Sequence, residues 1–206
     1  MSFCLFVELA SGGPPSLAAA RGLREALVHT AAQARDPFLD DGAPPATVLQ
    51  LYFSELADLE AAAAQVAWPA GVASHEAMAV RRFARAEMPQ PWCTYLVRYE
   101  GPAEDPQAWL ADYLAHHPAL MLRLPGIREL EVYSAIDWAG RMPGARLRSL
   151  QRNKVAFDSP AALSAALDSA ERRAMRAHFE RLPRFSGRVT HFPMLTRRIP
   201  GTPGPS

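Results

Sequence analysis

The stretch "LAHHPALMLRLPGIRELEVY", residues 114–133, decides the fold. Its first part continues a helical stripe in which Trp109, Leu110, Tyr113, Leu114 and His117 recur every three or four residues. Its last part alternates: Arg128, Leu130 and Val132 share one side, and Glu129, Glu131 and Tyr133 the other. Gly126 marks the handover from helix to strand. Working outward, Asp105 and Pro106 form a cap and first turn for the helix, and "CTYLVRYEG" (93–101) ahead of them is a strand ended by Gly101 and Pro102. On the other side, "LQRNKVAFD" (150–158) is a third strand. Ser159 and Pro160 then open a helix with a stripe at Leu163, Leu167, Ala170, Ala174 and His178, ended by Pro183, and "GRVTHFPML" (187–195) is a fourth strand. The order βαββαβ predicts a ferredoxin-like sheet of four antiparallel strands with two helices on one face.

The first half reads as the same unit. "FCLFVEL" (3–9) is a strand, 16–33 a helix, "ATVLQLYFS" (46–54) a strand, 55–67 an alanine-rich helix and "EAMAVRRFAR" (76–85) a strand, with "RDPFLDD" (35–41) the candidate for the remaining strand. Phe53, Ala57, Leu59, Ala61 and Ala62 match Phe157, Ala161, Leu163, Ala165 and Ala166 at one constant offset. A sheet covered by helices on one face needs a cover for the other. The expected fold class is therefore α+β: two ferredoxin-like repeats, residues 1–90 and 91–198, packed sheet to sheet as an α+β barrel, followed by a disordered Pro/Gly-rich tail at 199–206.

Composition narrows the function classes. Net charge is +1 over 206 residues, which gives no reason to expect nucleic acid or an anionic membrane surface as partner. The halves differ: 1–90 carries 10 acidic and 6 basic residues, 91–206 carries 11 acidic and 16 basic, so the two carry opposite signs where they would dock. Two cysteines, Cys4 and Cys93, and a first segment without a signal-peptide pattern lead to a cytoplasmic expectation. No apolar run approaches the roughly 18 residues of a membrane span. Lys154 is the sole lysine among 22 basic residues, and the Arg- and Ala-rich composition matches a GC-rich bacterial genome. A Gly-rich phosphate loop, a Rossmann fingerprint, a nucleophile elbow and a CxxC pair are all missing, so no cofactor is expected.

"HHPALMLRLPGIRELEVY", "QRNKVAFDSPAALSAAL" and "GRVTHFPM" together resemble the EthD-like family of the dimeric α+β barrel superfamily, with His116, His117 and Pro118 matching its His-x-Pro element and Leu124 to Arg128 its Leu-Pro-Gly-Ile-Arg turn. The resemblance covers residues 92–197. The first half departs from it, having His29 without a nearby proline. Family members pair two sheets between chains, which implies for this chain either a monomer with an internal pseudo-dimer or a homodimer. The superfamily includes cofactor-free monooxygenases, isomerases, lyases and haem proteins, so the chemistry has to come from the site.

Pro118 cannot donate to the carbonyl of Leu114, and two readings of the neighbouring histidines follow. Either an imidazole N–H satisfies that carbonyl, or the kink turns His116 toward the mouth of a lumen between the sheets, as a general acid or base. Alternation sends Glu131 and Tyr133, with Glu129, into that lumen as candidate proton-transfer groups, or else as partners of arginines. His116, Glu131 and Tyr133 are the expected catalytic set, and Arg98, His117, Asn153 and His191 the expected substrate-binding set. Alternation leaves open which face of 150–158 points inward. Neither His116 nor His191 is read with a Cys or carboxylate at ligand spacing, so no metal is expected. The expected function is proton-transfer chemistry (dehydration, isomerisation or oxygenation) on a small aromatic or cyclic carbonyl compound. The alternatives are a ligand-binding or accessory protein and a haem-binding protein.

Overall fold

The computed structural model describes residues 2–199, so the tail expected to be disordered lies outside the described residues except for Ile199, whose N–H donates to the Ala26 carbonyl. The elements are β1 (Ser2–Leu9), β2 (Leu23–Ala31), β3 (Thr47–Phe53), α1 (Leu56–Gln65), β4 (Val72–Arg85), β5 (Trp92–Tyr99), α2 (Pro106–Met121), β6 (Glu129–Ala135), the two-residue β7 (Ala145–Arg146), β8 (Gln151–Phe157), α3 (Pro160–Leu167), α4 (Ala170–Phe179) and β9 (Val189–Arg198). Eight strands close an antiparallel barrel in the order β1-β3-β2-β9-β5-β8-β6-β4, with β4 returning to β1. Within each half the order is fourth, first, third, second strand. The seams β2–β9 and β4–β6 join the halves.

The expected helix over 16–33 does not form. Residues 23–31 are strand β2, paired with β3 on one side and β9 on the other, and "RDPFLDD" is loop. Leu, Arg, Glu and Ala favour a helix locally, but this strand is covered on both faces and so lacks the alternation that would have revealed it. The first half therefore has one helix, α1, and the loop after β6 packs Ile136, Trp138 and Met142 against its core. The helix expected from Ser159 onward is also broken. Ser169 accepts from Arg172 N at 3.3 Å and starts α4 afresh. The break shifts the helical phase, so Arg172 and Met175 turn inward while Ala174 is exposed.

Cross-strand partners share a face, which fixes the orientation of β8. Lys154 lies opposite Glu131 and Arg152 opposite Tyr133, so these four point into the barrel interior. Asn153, opposite Val132 and Val97, points out under the helices. Opposite charges from the two halves meet inside. Arg152 pairs with Glu8 at 2.9 Å and with Glu76, Arg98 pairs with Glu8 at 2.9 Å, and Arg82 reaches Glu131 at 2.7 Å. At the centre the Lys154 ammonium donates to Glu131 at 2.9 Å, Glu129 at 3.1 Å and the Tyr52 hydroxyl at 2.8 Å. Burial alone would raise the Glu131 carboxyl, yet Lys154 and Arg82 hold it below the usual carboxylate range. Phe6, Tyr133, Met78 and Met194 fill the space around the ions.

Removing one partner of a buried ion cluster leaves the others uncompensated. Lys154→Met is expected to destabilise the protein by about 3–5 kcal/mol in urea unfolding, and the triple variant with Glu129→Gln and Glu131→Gln to regain a large part of that loss.

Candidate functional site

An apolar cavity of about 320 Å³ lies outside the barrel between the β9-β5-β8-β6 sheet and the helices α2, α3 and α4. Its walls are mainly apolar: Val97, Val155 and Phe157 from the sheet, Met121 from α2, Leu163 and Leu167 from α3, Met175 and Phe179 from α4. The interior void next to Phe6, Arg98 and Arg152 measures only about 10 Å³, because the ion network and aromatic rings fill that space.

The loop between β2 and β3, which carries "RDPFLDD", crosses over to the second half and closes one side of the cavity. Arg35 N donates to Ser164 Oγ at 3.0 Å on α3. Asp36 accepts from the Tyr95 hydroxyl at 2.5 Å and from Arg172 Nη2 at 3.3 Å. The Phe38 ring lies 6.0 and 5.5 Å from the guanidinium groups of Arg172 and Arg176. Asp41 accepts from both the backbone N–H and the Nδ1 of His191, each at 2.8 Å.

That last pair fixes the chemistry available. With Nδ1–H given to Asp41, the lone pair of His191 sits on Nε2, and both residues line the cavity. Burial lowers the His191 pKa, and Asp41 opposes the shift only in part, so the ring is neutral near pH 7. Burial and Asp36 push the Tyr95 hydroxyl well up, keeping it protonated as a donor. Arg172 contributes a buried Nε with no protein partner among the described residues, on a cavity-lining side chain.

The sheet divides the residues that the sequence nominated. Glu131, Tyr133 and Arg98 lie in the interior, with the Tyr133 hydroxyl donating to Glu131 at 2.5 Å and Arg98 bound to Glu8 and Glu100. His117, Asn153 and His191 line the cavity. Asn153 donates to Tyr113 at 2.5 Å and accepts from Gln151 at 3.1 Å, while His117 stacks on Tyr113 at 4.4 Å with its Nδ1 3.0 Å from Nδ1 of His178. Burial, with His178 next, lowers the His117 pKa to about 3. His116 departs from expectation: α2 runs on through Pro118, and the His116 side chain is 63% exposed on its outer face, bonded to the carboxylate and carbonyl of Asp112 instead of turned toward a lumen. Asp36, Asp41 and Arg172 were not anticipated. The first two fell in a segment read as strand although its Asp and Pro content signals a loop, and the third was hidden by the uninterrupted helical phase.

No family model matches the chain, and no curated protein matches it. Solved structures do. An anthrone oxidase-like protein aligns at 14% identity over 100% of this chain and 96% of that one, with a TM-score of 0.61. A "putative monooxygenase" from Fusobacterium nucleatum aligns at 5% identity over 98% and 95%, with a TM-score of 0.58. An EthD family protein from Bacillus halodurans aligns over 48% of this chain and 96% of its own, at 18% identity and a TM-score of 0.38. What the first two share with this chain is the fold, an α+β barrel.

If Asp36 fastens the loop, Asp36→Asn weakens the tie to both Tyr95 and Arg172. Loss of a charged hydrogen bond of this kind, about 1.5 kcal/mol, speeds trypsin cleavage after Arg35 roughly tenfold under native conditions.

Proposed function

We propose that this protein is an enzyme that takes a proton from a small planar aromatic carbonyl or phenolic compound held in the helix-side cavity, and that the resulting anion reacts with dioxygen without a cofactor. The observation that carries this reading is His191, its Nδ1 held by Asp41, on the wall of the same apolar cavity that Arg172 lines. Cavities that hold small organic ligands run from about 300 Å³ upward, so this one suits a compact ring system.

In the proposed step a C–H or O–H bond of the substrate breaks, the electron pair stays on the substrate, and the proton passes to His191 Nε2. The Arg172 guanidinium faces the oxygen on which charge develops, in surroundings where apolar walls strengthen the attraction. For a methylene between aromatic rings, oxygenation converts CH₂ to C=O: one oxygen atom ends on carbon, the other leaves as water, and the two hydrogens of that carbon balance it. The fold-level likeness to proteins described as anthrone oxidase-like and monooxygenase supports oxygenation over isomerisation or dehydration, which would start from the same proton transfer. We also read residues 1–90 and 91–198 as a tandem pair standing in for two chains, a reading supported by the strand order common to the halves.

The test is dioxygen uptake with anthrone as substrate, alongside binding followed by tryptophan quenching. His191→Ala is expected to lower turnover about 100- to 10,000-fold while binding changes by only a few-fold. The base acts when deprotonated and its pKa is lowered, so the acid limb of kcat/KM lies below the ordinary histidine value of about 6.5 and activity falls as pH drops through it. Saturable binding with no turnover at any pH would favour a ligand-binding protein instead.

A further inference from the structure

Away from the His191 side of the cavity, three metal-ligating side chains meet where α2 packs on α4. Asp112 and His116 stand one helical turn apart on α2, and His178 reaches across from α4. Asp112 Oδ1 is 2.6 Å from His116 Nδ1 and 3.9 Å from His178 Nε2, and all three ligand atoms lie within 4.8 Å of one another. Donors on a tetrahedral zinc shell, at bond lengths of about 2.0–2.1 Å, are about 3.3 Å apart. The exposed His116 ring is free enough to make that adjustment.

We propose that Asp112, His116 and His178 form a binding site for a divalent transition metal, with Zn²⁺ the best match, which ties α2 to α4. Two imidazoles and one carboxylate suit zinc, whereas magnesium and calcium take oxygen ligands almost exclusively. Three protein ligands leave the remaining position to water or a ligand at the exposed side. The carboxylate not expected near His116 is Asp112, four residues earlier on the same helix.

A second contact points the same way. Metal-bound histidines donate their other ring N–H to a fixed acceptor. Here Nδ1 of His178 lies 3.0 Å from Nδ1 of His117, which is held by stacking on Tyr113 and lines the cavity. With Nε2 on the metal, His178 Nδ1 carries the hydrogen, and His117 accepts it and becomes a positioning residue for the site. The metal would thus fasten two helices that roof the cavity, without touching the proposed base.

The experiment uses the untagged full chain, stripped of metal with a chelator and titrated calorimetrically with Zn²⁺ near neutral pH, with Co²⁺ as spectroscopic substitute. One Zn²⁺ per chain, visible absorption bands from Co²⁺ and a raised thermal midpoint are expected. Asp112→Asn, His116→Gln and His178→Gln should each weaken binding at least about tenfold, and His117→Ala by about 10- to 100-fold through loss of the orienting contact. The two α2 variants alter exposed or half-exposed positions, so they carry the test even if His178→Gln fails to fold. His191→Ala should bind zinc as the unaltered protein does, so failure of the proposed reaction and failure of the metal site are read separately. Absence of zinc binding, or affinity unchanged in both Asp112→Asn and His116→Gln, would overturn the proposal.

Discussion

Lys154 holds its charge at the centre of the closed barrel, and it can do so because Glu129 and Glu131 face it across the β6–β8 register. An ammonium placed there alone would cost several kcal/mol or lose its proton. Paired, it fastens β8 to β6, while Arg82 carries the same carboxylate across the seam to β4 and the first half. Arg152 and Arg98 repeat the arrangement at the other end with Glu8 and Glu76. The interior of this barrel is thus a set of paired charges among aromatic rings. Such an interior specifies which strands meet and in what register, and around Phe6, Arg98 and Arg152 it leaves a void of only about 10 Å³.

The cavity we propose for binding lies on the other face of the second half's sheet. The sheet that carries Lys154 and Glu131 on its inner face carries Asn153, Val97 and His191 on its outer face, where α2, α3 and α4 stand far enough off to leave a cavity. The first half contributes to it through a chain segment: having no helix before β2, it has a long loop after it, and that loop brings Asp36 and Asp41 to the Tyr95, Arg172 and His191 side chains. The two halves are therefore unequal in use. One mainly completes the barrel and lends two carboxylates, while the other carries the walls.

Much of the fold was legible where local signals and tertiary demands agree. Asp105 with Pro106 and Ser159 with Pro160 mark the helix starts found in the structure, and the alternation from Glu129 to Tyr133 gives the correct inward face. It was illegible where burial on both faces erased periodicity, as in Leu23–Ala31, or where a cap inside a continuous apolar stripe, Ser169, shifted the phase. The site was half legible for the same reason. Residue types nominated His191, His117 and Asn153, which line the cavity, but parity left the face of Asn153 open and does not say which side of a sheet holds the space. That depends on side-chain volumes and charges from strands distant in sequence, and the loop carboxylates are set by chain path and not by any period.

The central claim is that small molecules enter between sheet and helices and not between the two sheets. A crystal structure of the protein soaked with a hydroxylated fused-ring ketone addresses it directly. The ligand is expected beside His191 and Arg172, its oxygen within hydrogen-bonding distance of the Arg172 guanidinium, with the Lys154 cluster undisturbed. Density for the ligand among Glu131, Tyr133 and Arg98 inside the barrel would contradict the account.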